Sequence, residues 1–183
     1  PISSGDNLPF VNLGTGRTAI QLSIGNYFSC ALLDGAASGS RVKCWGYNPY
    51  GNLGYEDTTN RTAPQGDNLA TDYINLGTVN GDGSGGALYA KQIAAGGSYS
   101  TCALLSNNKI KCWGYEYYLG YGDVLRRGHA AGTMGDALPY IDLGTEGTIV
   151  ELQAGVQFFC ARFDNAKLKC WGYNAQGNLG LGE

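Results

Sequence analysis

The stretch Lys111-Cys112-Trp113-Gly114-Tyr115 recurs as Lys43-Cys44-Trp45-Gly46-Tyr47 and again as Lys169-Cys170-Trp171-Gly172-Tyr173, with the cysteines 68 and 58 residues apart. A pattern repeated at intervals of this size marks one structural unit used several times, and it decides the fold before any single segment is read. Upstream of each copy lies a second cysteine with a short run behind it: Cys30-Ala31-Leu32-Leu33, Cys102-Ala103-Leu104-Leu105 and Cys160-Ala161-Arg162-Phe163. Downstream comes Gly51-Asn52-Leu53-Gly54, echoed by Gly177-Asn178-Leu179-Gly180 and, degraded, by Tyr118-Leu119-Gly120.

A linking block joins the units. It reads Gly5-Asp6-Asn7-Leu8 leading to Asn12-Leu13-Gly14, Gly66-Asp67-Asn68-Leu69 leading to Asn75-Leu76-Gly77, and Gly135-Asp136-Ala137-Leu138 leading to Asp142-Leu143-Gly144. Within each unit, short segments such as Gln92–Ala95, Ser100–Leu105 and Lys109–Trp113 are bounded by Gly, Asn and Ser, which predicts strands joined by tight turns. The thirty glycines and thirteen tyrosines of the 183-residue chain suit many short strands and turns, and long amphipathic helices are scarce.

These blocks resemble the regulator of chromosome condensation repeat family, whose units carry a CALL…G.V.CWG.N..G.LG.G pattern. The resemblance spans nearly the whole chain and implies an all-β fold of about three four-stranded antiparallel blades, an incomplete or oligomer-completed β-propeller. The chain is then one propeller region, 1–183, with approximate repeats 1–54, 55–122 and 123–183. The family includes nucleotide-exchange factors, secreted enzyme inhibitors and extracellular repeats, so the fold leaves the activity open. The linking block as written from Gly5 to Ala19 is in the style of large extracellular or cell-surface repeat proteins, by analogy.

Cys102 and Cys112 are symmetric about Asn107, and Cys160 and Cys170 about Asn165, so a hairpin turning at either asparagine sets each pair across two strands. Cys30 and Cys44 keep the arrangement around a longer loop, Gly35 to Ser40. Opposed residues of a non-hydrogen-bonded antiparallel pair have Cα atoms roughly 4.5 Å apart, within reach of a disulfide. Three disulfides inside blades are expected, against the blander reading of small reduced residues beside a tryptophan. Oxidised cysteines imply an extracellular or cell-surface location, and Asn60-Arg61-Thr62 adds a glycosylation sequon at Asn60.

The formal net charge is −3, from 12 basic and 15 acidic side chains, with no basic run to track a phosphate backbone, so nucleic acid is not an expected partner. No apolar run approaches the length of a bilayer span, and the start at Pro1 without a leader reads as a processed or excised chain. His129, the lone histidine, stands in a Gly/Ala-rich linker with no nucleophile beside it, and cysteines ten or more residues apart do not make a zinc site. Asp6, Asp67 and Asp136 recur at one position, where an aspartate more often closes a turn than holds Ca²⁺. No catalytic residue, metal or cofactor is expected, and no enzyme.

Trp45, Trp113 and Trp171 are expected to pack between blades. Tyr47, Tyr50, Tyr55, Tyr115, Tyr117, Tyr118, Tyr121 and Tyr173 crowd the segments after the Cys-Trp-Gly block; packing between blades or subunits is the expected use of most, and Tyr47, Tyr50, Tyr115, Tyr117, Tyr118 and Tyr173 are the candidate binding or interface residues, since propeller loops carry recognition and exposed tyrosine suits protein or sugar contacts. Three blades fall short of a closed propeller, and the chain's two ends read as complementary halves of one repeat. The tail of one copy can meet the head of another, two copies giving six blades, or the segment can belong to a longer chain; both accounts predict that it is not a stable monomer alone. The expected function is an extracellular structural or assembly protein making protein–protein contacts with its own copies or adjoining repeats, as filament, ring or part of a cell-surface chain. The alternatives are a secreted lectin-like or inhibitor-like module that binds glycan or protein and, more weakly, a nucleotide-exchange factor.

Overall fold

The computed structural model describes residues 5–34, 41–63, 73–78 and 86–182. It is an all-β, propeller-type array of three antiparallel sheets, each a meander of three consecutive strands. The first blade comprises β1 (Ala19–Ile24), β2 (Phe28–Leu33) and β3 (Arg41–Gly46). The second comprises β4 (Ala90–Gly96), β5 (Ser100–Leu105) and β6 (Ile110–Gly114), and the third β7 (Ile149–Ala154), β8 (Phe158–Phe163) and β9 (Leu168–Gly172). The strands β1, β4 and β7 line up at the blade-to-blade contacts and are the inner strand of each sheet.

The register is the same in all three blades. Cys30 pairs with Cys44, Cys102 with Cys112 and Cys160 with Cys170. Each inner strand carries one bulge at the same place, after Ala19, Ala90 and Ile149, which adds twist and turns the strand along its neighbour. All three expected disulfides are present, with Cα atoms 4.1, 4.1 and 4.0 Å apart. The loop Gly35 to Ser40 and the linking block Gly66–Leu69, Asp67 included, lie outside the described residues.

The expected fourth strand is corrected: among the described residues each sheet has three. In its place, in blades one and two, an irregular segment touches the outer strand at two points. Arg61 bridges Gly46 and Arg127 bridges Gly114; further along, the Ile74 N–H donates to Val42 O at 3.1 Å and the Ile141 N–H to Ile110 O at 2.8 Å. Between these points the second blade inserts left-handed glycines at Gly128, Gly132 and Gly135 and a 3-10 turn at Gly135–Ala137, and Pro139 has no N–H to give. A continuous ladder is impossible there, so pairing survives only at the ends.

The core sits between sheets. Val42, Cys44, Leu53, Ile93, Ala103, Leu105 and Trp113 join blades one and two, while Leu104, Ile110, Leu152, Phe159 and Trp171 join two and three. Trp113 is fully buried and its Nε1–H donates to Asn52 O of the preceding blade at 3.1 Å. Gly54 closes over that ring: a Cβ there would lie 2.7 Å from Trp113 Nε1, and Gly120 makes an equally close approach to Trp171. The last glycine of the Gly-Asn-Leu-Gly block is therefore needed for contact with the next blade's tryptophan.

Candidate functional site

Two loops per blade are tied together at one edge of the sheet. The backbone N–H of Tyr47 donates to Tyr27 O, that of Tyr115 to Tyr99 O and that of Tyr173 to Gln157 O, each at 2.8 Å. The turn between the first two strands of a blade is thus fixed against the segment after the Cys-Trp-Gly block, and side chains from both gather on one surface. In sequence the candidate tyrosines were scattered over three repeats; in space they form one ribbon.

Its order is Tyr27, Tyr47, Tyr99, Tyr50, Tyr115, Tyr118 and Tyr173. Ring centroids of successive members lie 6.5, 5.8, 5.4, 4.7, 5.4 and 6.2 Å apart, with Tyr117 beside Tyr115 at 5.3 Å. Most pairs are tilted or edge-on, the arrangement that aromatic quadrupoles favour. Tyr27, Tyr47, Tyr117 and Tyr173 remain exposed, while Tyr50, Tyr99, Tyr115 and Tyr118 are half-buried or deeper between them. Burial, with the neighbouring tyrosines, raises the hydroxyls of Tyr99, Tyr115 and Tyr118 above the usual tyrosine range. Arg126 flanks the ribbon, 5.0 Å over the Tyr50 ring and paired with Glu116 at 3.0 Å.

All six tyrosines singled out from the sequence lie in the ribbon; Tyr27 and Tyr99 were missed. The signal was there, since both stand three residues before the first cysteine of their blade, where the third repeat has Gln157. Also missed was a device at the ribbon's rear. Tyr55 and Tyr121 turn inward so that their hydroxyls accept the N–H of Cys44 and Cys112, at 3.1 and 2.9 Å. Arg61 and Arg127 cover these rings at 4.0 and 3.9 Å, and each arginine is held by an aspartate four residues earlier, Asp57 or Asp123, through paired hydrogen bonds. The hydrogen bonds from Arg127 hold the Asp123 carboxyl at about 2. Asn60 is exposed, and its side-chain Oδ1 accepts the Asn48 N–H at 2.8 Å.

The second feature is the pair of end faces. Gln21 reaches across to blade two, accepting from Ile93 N–H and donating to Ile93 O, both at 2.9 Å; Gln92 accepts the Leu152 N–H in the same way at 2.8 Å. Ile93 and Leu152 are 1% exposed, but Leu22, which holds the same register position in blade one, is 58% exposed. At the opposite end the Gly-Asn-Leu-Gly loop of blade three has the conformation of its counterpart in blade one. The Leu53 and Leu179 N–H groups each donate to an asparagine Oδ1 (Asn48, Asn174) at 2.9 Å. Leu53 is buried and Leu179 is not, and a Cβ on Gly180 would meet nothing.

Among the described residues no three His, Cys, Asp or Glu side chains gather as a metal site, and no helix is long and apolar enough to cross a membrane. Asp136 caps the linking segment, accepting the Thr78 N–H at 2.7 Å and its hydroxyl at 2.9 Å.

Three repeated blades, a shared register and tryptophans clasped by the preceding blade's glycine define a propeller repeat protein. Residues 90–118, blade two with the loop behind it, match the model of the Regulator of chromosome condensation (RCC1) repeat, so the chain carries the repeat that its sequence resembles. Among solved structures it is similar to human WBSCR16, at 18% identity and TM-score 0.58 over 85% of this chain. It is also similar to yeast RCC1 (Prp20) in complex with Kap60, at 19% identity and TM-score 0.62 over 88%, and to Prp20p from Saccharomyces cerevisiae at 21% and 0.62 over 88%. The chain spans about a third of the length of these proteins, 33%, 33% and 34%, and at such identities the likeness is one of fold.

Proposed function

We propose that this chain is an extracellular structural repeat module that works through protein–protein contacts, joining head to tail with further blades of its own kind. The observation that carries the reading is Leu22: 58% exposed on the inner strand of blade one, where its counterparts Ile93 and Leu152 are buried by the preceding blade. Burying a leucine side chain is worth about 1.5–3 kcal/mol. Trp45 is likewise only half-buried, whereas Trp113 and Trp171 are buried. One end offers a tryptophan without its clasp, and the other a formed Gly-Asn-Leu-Gly loop without its tryptophan. The contact is heterologous, so it closes into a ring or runs on as a filament. Three disulfides among the described cysteines support an oxidising compartment. An exchange-factor role has only the likeness of fold behind it.

Static light scattering across a concentration series, with electron microscopy of the same sample, tests this. Mass that rises in steps of the 19.3 kDa chain into rings or polymers is expected, and a monomer at every concentration overturns it. A second reading, recognition of protein or glycan along one loop face, is favoured by the tyrosine ribbon, whose exposed rings offer apolar faces and hydroxyls together.

A further inference from the structure

The tyrosines divide by what their hydroxyls do. Those turned inward are committed: Tyr55 and Tyr121 accept the Cys44 and Cys112 N–H groups, and Tyr140 accepts a side-chain N–H of Asn107 at 3.1 Å. No hydroxyl of the ribbon has a hydrogen-bond partner among the described residues, and none is sealed from water. These phenols are free to lose a proton to solvent when an electron is taken from the ring. Other groups that oxidise readily are withdrawn. All six cysteines are in disulfides, the one methionine, Met134, is 3% exposed, and Trp113 and Trp171 are buried. An oxidant that reaches this face meets tyrosine.

Tyr99 is the hub of the ribbon, with the rings of Tyr27, Tyr47 and Tyr50 at 6.2, 5.8 and 5.4 Å. Its backbone is left-handed, at φ 59°, unlike those of its counterparts Tyr27 and Gln157. That conformation is strained for a bulky residue, and strain kept at one blade of three points to a use for the position of the ring. Each disulfide closes within a blade, so among the described residues no side-chain covalent bond spans a seam. The closest pair of rings in the ribbon does cross one. Tyr50 follows β3 and Tyr115 follows β6, their centroids are 4.7 Å apart, and their planes are inclined at 56°, near the separation and twist of two phenol rings joined carbon to carbon.

We infer that Tyr50 and Tyr115 are a site of oxidative coupling, where a dityrosine bond staples blade one to blade two. The oxidant is hydrogen peroxide, acting through a haem peroxidase that takes one electron at a time. Each phenol gives up one electron and one proton, and the two ring carbons ortho to the oxygens bond. The hydrogens on those carbons then move to the oxygens and restore both phenols. The two electrons and two protons released reduce one peroxide to two waters. Each ring of the pair has a route from an exposed one: Tyr117 lies 5.3 Å from Tyr115, and Tyr47 connects to Tyr50 through Tyr99 in steps of 5.8 and 5.4 Å. Both rings belong to one chain, so the inference is independent of how copies meet.

Treating the dilute chain with a haem peroxidase and hydrogen peroxide, then reducing it and digesting with trypsin, tests this, because cleavage frees residues 44–61 and 112–126. Dityrosine fluorescence is expected, with an intact mass lower by two hydrogens, the two peptides joined, and fragmentation placing the bond between Tyr50 and Tyr115. The coupled chain should also melt at a higher temperature than the untreated one. Tyr50→Phe keeps the ring but forms no phenoxyl radical; it is expected to lose the joined peptides with its circular dichroism unchanged. Tyr173→Phe, at the far end of the ribbon, should keep them. A parent chain that gives no dityrosine, or gives it only between chains or between other rings, overturns the inference, as does an equal yield of joined peptides from Tyr50→Phe. The assembly reading stands or falls separately, on the mass of the untreated chain.

Discussion

At the residue scale the glycine that ends each Gly-Asn-Leu-Gly block discriminates between a buried seam and an open one. Gly54 and Gly180 share a left-handed backbone, with φ of 78° and 71°, so alanine strains either by about 1–2 kcal/mol. Only at Gly54 does the new methyl also strike a tryptophan, an overpacking cost of about 1–3 kcal/mol more. Urea unfolding should therefore find Gly54→Ala markedly less stable than Gly180→Ala. If copies join head to tail as proposed, self-association should fall for Gly180→Ala, whose methyl would meet Trp45 of the next copy; equal stabilities for the two variants would mean that Gly54 is not clasping Trp113.

At the element scale, the loop behind the tyrosine ribbon is held by the Asp–Arg–Tyr device. Asp123 titrates at about 2 in the fold, below its ordinary 3.8. A carboxylate lowered in this way stabilises the fold above its unfolded value, and the contribution disappears as the pH falls from about 4 towards 2. Because Asp123 is partly exposed, with 38% of its side chain open, the screened contribution is about 1 kcal/mol or less. Denaturation midpoints measured from pH 5 to 2 should show a shallower acid decline for Asp123→Asn than for the parent. The strands themselves were legible in sequence, because the two cysteines of each repeat fix the hairpin register and the turn residues mark its ends. The fourth strand was not: in blade two its place is taken by a segment that pairs with the outer strand at two isolated points among the described residues, and no local pattern announces a ladder interrupted by glycine turns. The tyrosines after the Cys-Trp-Gly block were legible as a group, but Tyr27 and Tyr99 join them only through backbone bonds between loops, a tertiary fact.

At the scale of the whole molecule, the ribbon crosses all three blades and thins at the third, where Gln157 and Gln176 stand in the positions of Tyr99 and Tyr118. If the ribbon recognises a ligand, the exposed rings should report it. Tyr117 is 62% exposed and is not a core residue, so Tyr117→Ala should leave stability within about 0.5 kcal/mol while reducing ligand retention on a glycan array or a panel of extracellular proteins. Unchanged retention with the variant would leave the ribbon as packing between loops. The repeat phase was legible in the sequence, but the exposure of Leu22 beside its buried counterparts Ile93 and Leu152 is a tertiary fact.

The glutamine that stitches blade one to blade two is a glutamate in blade three. Gln21 both gives and takes a hydrogen bond, whereas Glu151 is a carboxylate that can only accept, and it is already engaged by Arg162 at 2.6 Å. A following blade would find there half the stitching and a competitor for it. A joint made on blade three would then be weaker than the one Gln21 makes between blades one and two. Dilution or shear would part such a joint first and leave the blades intact.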